Sequence, residues 1–104
     1  MLGFIKKLFG GTSINFKELV SNGAIIVDVR SISEYKAGHI PGSKNFPVES
    51  IRSKVAELKK LNKPLITVCR SGARSGMAKG ILKSSGLEVY NGGPWTSLKN
   101  KIAS

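Results

Sequence analysis

The chain is poor in acid, in sulfur and in histidine. Six Asp and Glu stand against 17 Lys and Arg, and there is one cysteine, one histidine and one tryptophan in 104 residues. A single cysteine excludes an intrachain disulfide, so nothing points to an oxidised, secreted framework, and the expected compartment is the cytoplasm. The one histidine, the one cysteine and the scattered carboxylates make no convincing metal-ligand cluster. No apolar run approaches the ~20 residues of a membrane span.

The first ten residues, Met1 to Gly10, carry Leu2, Phe4, Ile5 and Phe9 but are broken by Lys6 and Lys7. They lack both the uninterrupted apolar stretch of roughly 7–15 residues and the small-residue cleavage site of a signal peptide. They read as an N-terminal arm over residues 1–13, preceding one domain over 14–104. Leu2, Ile5 and Phe9 can share one side of a short amphipathic helix, a basis for weak contact with a membrane or a partner. An arm that frays or folds back on the domain is the simpler expectation.

The net charge is +11. Such a field attracts anions, yet the basic residues are scattered, with no arginine-rich run and no interleaved aromatics. The pattern argues against nucleic acid as a partner and for a solvated surface that steers small anions. A chain of this length buries roughly two-thirds of its unfolded surface, enough for a single core.

What is present alternates short apolar runs with helical patterns. Asn15 is placed to cap a helix through Phe16, Leu19 and Val20. Ala24–Val29 is an apolar run of strand length broken only by Asp28, as in a strand covered on both faces. Ser31 and Glu34 have capping-box spacing for a short helix. Gly38, Pro41 and Gly42 enforce a loop, and a short strand is expected around Lys44–Phe46. Pro47 then opens a helix with Val48, Ile51, Val55, Leu58 and Leu61 inward. Leu65–Val68 is the second firm strand. It leads through Cys69–Ser75 into a helix expected to turn Met77, Ala78, Ile81 and Leu82 inward. A last short strand over Leu87–Tyr90 and a helix from Trp95 to about Ile102 complete the pattern. Strands separated by helices imply an α/β fold: a small, mostly parallel central sheet of four to five strands, flanked by helices on both faces. Ligands of such sheets bind beyond the carboxyl ends of the strands, where Cys69 falls.

A lone cysteine is either a packing residue or a reagent, and here its neighbours decide. Ser71, Gly72 and Ala73 are small enough for the backbone to curl around the sulfur, and the following helix adds its first-turn amides. Arg70 and Arg74 supply two positive charges. Together they are expected to lower the thiol pKa from about 8.5 and leave a nucleophilic thiolate. A cysteine phosphatase or arsenate reductase places five residues between cysteine and its clamping arginine. Four separate Cys69 from Arg74, and Ser75 occupies the clamping position without the bidentate fork.

The chain resembles a single-domain rhodanese over nearly all of Phe16–Lys101. Ile26-Val-Asp28-Val-Arg30 is similar to the family's strand ending. Glu34-Tyr35 and Gly38-His39-Ile40-Pro41-Gly42-Ser43 resemble its Gly-His-Ile-Pro-Gly-Ala signature, with Ser43 departing from it. Cys69 to Arg74 matches its six-residue loop, and Gly92-Gly93 with Trp95 a shortened form of its C-terminal pattern. The resemblance implies sulfurtransferase chemistry that needs neither a metal nor an organic cofactor. Cys69 takes sulfane sulfur from thiosulfate or another donor as a persulfide, and cyanide, a small thiol or a protein thiol accepts it. Arg70, Ser71, Gly72, Ala73, Arg74 and Ser75 would hold the anionic donor and the persulfide. A non-enzymatic sulfur carrier or interaction module is the alternative. His39 is expected to shape its loop rather than act as a base. Asp28 and Arg30 are expected in a structural network at the strand end, with Glu34 a candidate partner of Arg30, and Trp95 is expected to pack the last helix on the sheet.

Overall fold

The computed structural model describes residues 14–103; the arm expected over 1–13 lies outside them. In chain order the elements are α1 (Phe16–Ser21), β1 (Ile25–Asp28), α2 (Ile32–Ala37), β2 (Lys44–Asn45), a 3-10 segment (Val48–Lys54) continuing into α3 (Val55–Leu61), β3 (Leu65–Cys69), α4 (Ala73–Ser84), β4 (Val89–Pro94) and α5 (Trp95–Ala103). Asn15 Oδ1 accepts from Glu18 N at 3.0 Å and caps α1. Ser31 and Glu34 form the reciprocal capping box at the start of α2.

The four strands lie in the order β2-β1-β3-β4, all parallel. From β1 the chain winds outward to β2 and then returns across β1 to β3. The reversal puts the switch point, where doubly wound sheets bind ligands, between the carboxyl ends of β1 and β3. Asp28 ends β1 and Cys69 ends β3.

Alternation along β3 divides the core. Leu65 and Cys69 pack with Val27, Val29, Ile51, Leu58, Ala78, Leu82 and Val89, on the side of α3 and α4. Ile66 and Val68 pack with Ile26, Phe16, Ile40 and Leu98, on the side of α1 and α5. The inner strands β1 and β3 are thus covered on both faces, which is why their sequences are dominated by hydrocarbon.

Three sequence expectations change. The helix after Pro47 begins as a 3-10 segment, where Ser50 Oγ and Ser53 Oγ donate to the carbonyls of Pro47 and Ser50. Serine side chains on carbonyls three residues back compete with the α ladder. The last strand runs later than expected, to Pro94, because Gly92 makes a bulge that lets pairing resume at Gly93. Met77 is 61% exposed rather than inward. The inward row of α4 is Ser75, Ala78 and Leu82, so a serine takes the place that hydrophobicity alone would give to methionine.

Candidate active site

β3 delivers Cys69 to the end of the sheet, and the chain turns at once. Gly72 closes the turn in the left-handed region, at φ 102°, and stands at the N-cap of α4. That conformation disfavours any side chain, and it aims the Gly72 amide back at the sulfur. Gly72 N lies 2.9 Å from Cys69 Sγ and Ser75 N 3.3 Å from it. Ser75 Oγ lies 3.4 Å away. The sulfur is fully buried, yet it accepts from two backbone amides at the positive end of a 12-residue helix.

Burial by itself pushes the Cys69 thiol up. The Ser75 hydroxyl and the amides of Ser75, Gly72 and Ser71 outweigh it and hold the thiol below its ordinary value. Anion stabilisation by backbone amides needs no reorganisation when charge develops.

The two arginines of the loop part company. Arg70 is exposed at the tip, with Ser71 and Ala73 beside it. Arg74 instead donates Nη1 to Glu34 Oε1 at 2.7 Å and Nη2 to Oε2 at 3.0 Å. Glu34 Oε1 also accepts from Ser31 N and Ser31 Oγ, each at 3.0 Å. The Arg74 guanidinium, followed by the Ser31 amide, keeps the Glu34 carboxyl far below the usual carboxylate range. Glu34 in turn raises Arg74, and the nearby Cys69 adds to that effect.

Arg30 does not meet Glu34. Its Nε and Nη2 grip the Asp28 carboxylate at 2.7–3.1 Å, and Nη2 also donates to Gly38 O at 2.7 Å. The guanidinium lies 4.6 Å over the Trp95 ring. Arg30 is drawn to Asp28 because that carboxylate is fully buried and otherwise unneutralised, whereas Glu34 is reached by Arg74. Asp28 and Arg30 therefore tie the end of β1 to the loop after α2 and to α5. His39 stacks on Tyr35, ring centroids 3.7 Å apart, and its Nδ1 donates to Tyr35 O at 2.7 Å. Ser43 Oγ donates to Ile40 O at 2.6 Å, so the hydroxyl that departs from the family signature is satisfied inside the loop. Among the described residues no cluster of His, Cys, Asp or Glu is placed to hold a metal ion.

Two residues the sequence reading passed over complete the site. Thr67 Oγ1 donates to Ser75 O at 2.9 Å and fastens the first turn of α4 to the sheet. Asn91, on β4, takes the Ser75 hydroxyl on Oδ1 at 2.7 Å. Its signal was a polar residue at the carboxyl end of a strand, just before Gly92-Gly93.

The fold and site define a class: a parallel α/β domain presenting one cysteine in an amide-lined loop at its switch point. Residues 14–94 match the rhodanese-like domain family model, and the chain belongs to that family of sulfurtransferases and sulfur carriers. It is 37% identical over 76 residues to the thiosulfate sulfurtransferase GlpE of Ectopseudomonas mendocina, covering 72% of this chain and 69% of that one. It is 38% identical over 63 residues to the putative sulfur carrier protein YrkF of Bacillus subtilis, covering 61% of this chain and 34% of that one. Against YqhL of the same organism the match spans 65% of this chain and 54% of the relative. Several of these relatives are thus considerably longer than the segment they share with this chain. Among solved structures, the rhodanese with anions from E. coli is 28% identical with a TM-score of 0.67, covering 72% of this chain and 91% of that one. The human single-domain sulfurtransferase TSTD1 is 32% identical with a TM-score of 0.65, covering 80% and 87%.

Proposed function

We propose that this protein is a thiosulfate- or persulfide-using sulfurtransferase whose domain spans residues 14–104 and which works in the cytoplasm. The observation that carries the reading is the convergence of Gly72 N and Ser75 N on Cys69 Sγ. The thiolate attacks the sulfane sulfur of thiosulfate, a sulfur–sulfur bond forms to Cys69, and the bond to the sulfonate breaks with its electron pair leaving on sulfite. The Cys69 persulfide anion then gives its outer sulfur to cyanide or to a thiolate, which restores the Cys69 thiolate. Both steps conserve charge and need no redox partner. Amide donors stabilise the persulfide anion, Arg70 meets the donor's sulfonate, and Arg74, held by Glu34, supplies a fixed positive field.

A second reading has its own support: the complete burial of Cys69 suits a carrier that yields its sulfur only to a docked protein thiol. Intact-mass analysis after thiosulfate, then after cyanide, tests the chemistry. A gain of one sulfur that cyanide removes, absent in Cys69→Ser, is the expected result. No gain in the wild-type protein refutes the proposal. Loading without turnover on small acceptors favours the carrier.

A further inference from the structure

Asn91 has its amide orientation settled by two backbone groups whose roles are unambiguous. Gly93 N can only donate, and it lies 2.9 Å from Oδ1. Gly72 O can only accept, and it lies 3.3 Å from Nδ2. The Ser75 hydroxyl, 2.7 Å from an oxygen that only accepts, must therefore spend its proton on Asn91. Ser75 Oγ then has only lone pairs to offer the sulfur 3.4 Å away, so along this line Cys69 is the donor and carries its proton. The arrangement drawn by the structure is the resting thiol.

One hydroxyl proton cannot serve Asn91 and an anionic sulfur together. We propose that Asn91 is a positioning residue that governs, through the Ser75 hydroxyl, whether Cys69 is held as a thiol or as an anion. With the proton on sulfur, Ser75 donates to Asn91. When that proton leaves to solvent, the hydroxyl rotates about its own bond from Asn91 Oδ1 to Sγ, and Asn91 Oδ1 keeps Gly93 N. The same rotation serves the persulfide anion, so the inference deepens the proposed sulfur transfer and rests on it for its use, though not for its test. The regular register of β4 ahead of the bulge at Gly92 is what sets the contact. Thr67 pairs with Asn91 but Val68 pairs with Gly93, so Asn91 keeps the α4 side of the sheet while the chain gains a residue before Gly93 returns to it. The charged groups around the sulfur are Arg70 at the loop tip, Arg74 on α4 with Glu34 of α2 behind it, and Asp28 of β1 paired with Arg30. None of them hydrogen-bonds Ser75 or Asn91.

The test is the pH midpoint of thiolate absorbance. Cys69 is the only cysteine, so Cys69→Ser supplies the blank. Asn91→Asp holds the hydroxyl more strongly and is expected to raise the midpoint by about one unit, tenfold in thiolate fraction. Asn91→Ala releases the hydroxyl to sulfur and is expected to lower it. In a Ser75→Ala background both shifts are expected to shrink to less than a third, the sign of coupling through the hydroxyl. Shifts of the same sign for both variants, or shifts undiminished without the Ser75 hydroxyl, overturn the proposal, since loosened packing or bare charge then suffices. Should Asn91→Ala fail to fold, Asn91→Asp with and without Ser75→Ala decides alone. Sulfur loading by mass is read on the same samples. No loading with the titration pattern intact removes the sulfur chemistry only, and loading with an unmoved midpoint removes the Asn91 role only.

Discussion

Arg74 and Glu34, forty positions apart, meet through two parallel hydrogen bonds of 2.7 and 3.0 Å. The carboxylate that caps α2 is also the anchor of the cysteine loop. Arg74, close enough to feel the Cys69 charge, is fixed by that carboxylate, and its planar fork suits this bidentate grip better than a lysine ammonium.

Glu34→Gln is expected to cost roughly 1 kcal/mol, a modest sum because both side chains are about a third exposed. The cost depends on pH in a definite direction. The folded-state pKa of Glu34 is depressed, so the stabilisation is complete above the unfolded value of about 4.3 and fades as pH falls below it. Urea midpoints of wild type and Glu34→Gln are therefore expected to differ at pH 7 and to converge in strong acid. A gap that widens in acid contradicts the pairing.

The loop's two arginines are expected to separate in kinetics. Arg70→Ala, at the exposed tip, should raise KM for thiosulfate roughly threefold to tenfold, the size of one exposed charge contact, with little change in kcat. Arg74→Ala should lower kcat and the melting temperature together, because it removes the anchor to α2. Steady-state kinetics with thiosulfate and cyanide, beside thermal melts, checks both. Equal and opposite behaviour would reassign the roles.

Arg30 neutralises a carboxylate with no exposure at all. Arg30→Met keeps most of the volume over Trp95 but strands Asp28, and a loss of about 3–5 kcal/mol is expected in chemical denaturation. Restoring the balance with Asp28→Asn in the same chain should recover part of it. A loss below about 1 kcal/mol would mean that the pair contributes little.

The same substitution at two glycines is expected to have opposite signs. A Cβ on Gly92 would stand 2.9 Å from Ile66 Cγ2, 3.0 Å from Val68 Cγ1 and 3.1 Å from Thr67 O. Gly92→Ala should therefore cost about 1–3 kcal/mol and displace Asn91. Gly80 lies in the interior of α4 with nothing within 4 Å of its added Cβ. Gly80→Ala should stabilise by about 0.5–1 kcal/mol through helix propensity. Melting temperatures of the two variants give the comparison.

Local chemistry was legible in the sequence. The Ser31–Glu34 capping box, the Asn15 cap, the buried runs that became β1 and β3, and the small residues after Cys69 each depend on neighbours a few positions away. Their physics is written in adjacent letters, and so the parallel α/β architecture and the place of the cysteine at a strand end followed. Tertiary structure alone decided which distant groups share a proton or a charge. Whether Arg30 or Arg74 reaches Glu34 turns on how α2 and α4 lie across the sheet, and Asn91 faces Ser75 because its pairing with Thr67 sets it on the α4 side of β4. Burial raises the cost of leaving a polar group alone, so these pairings are strongly selected once the fold forms, but nothing in the order of residues names the partners.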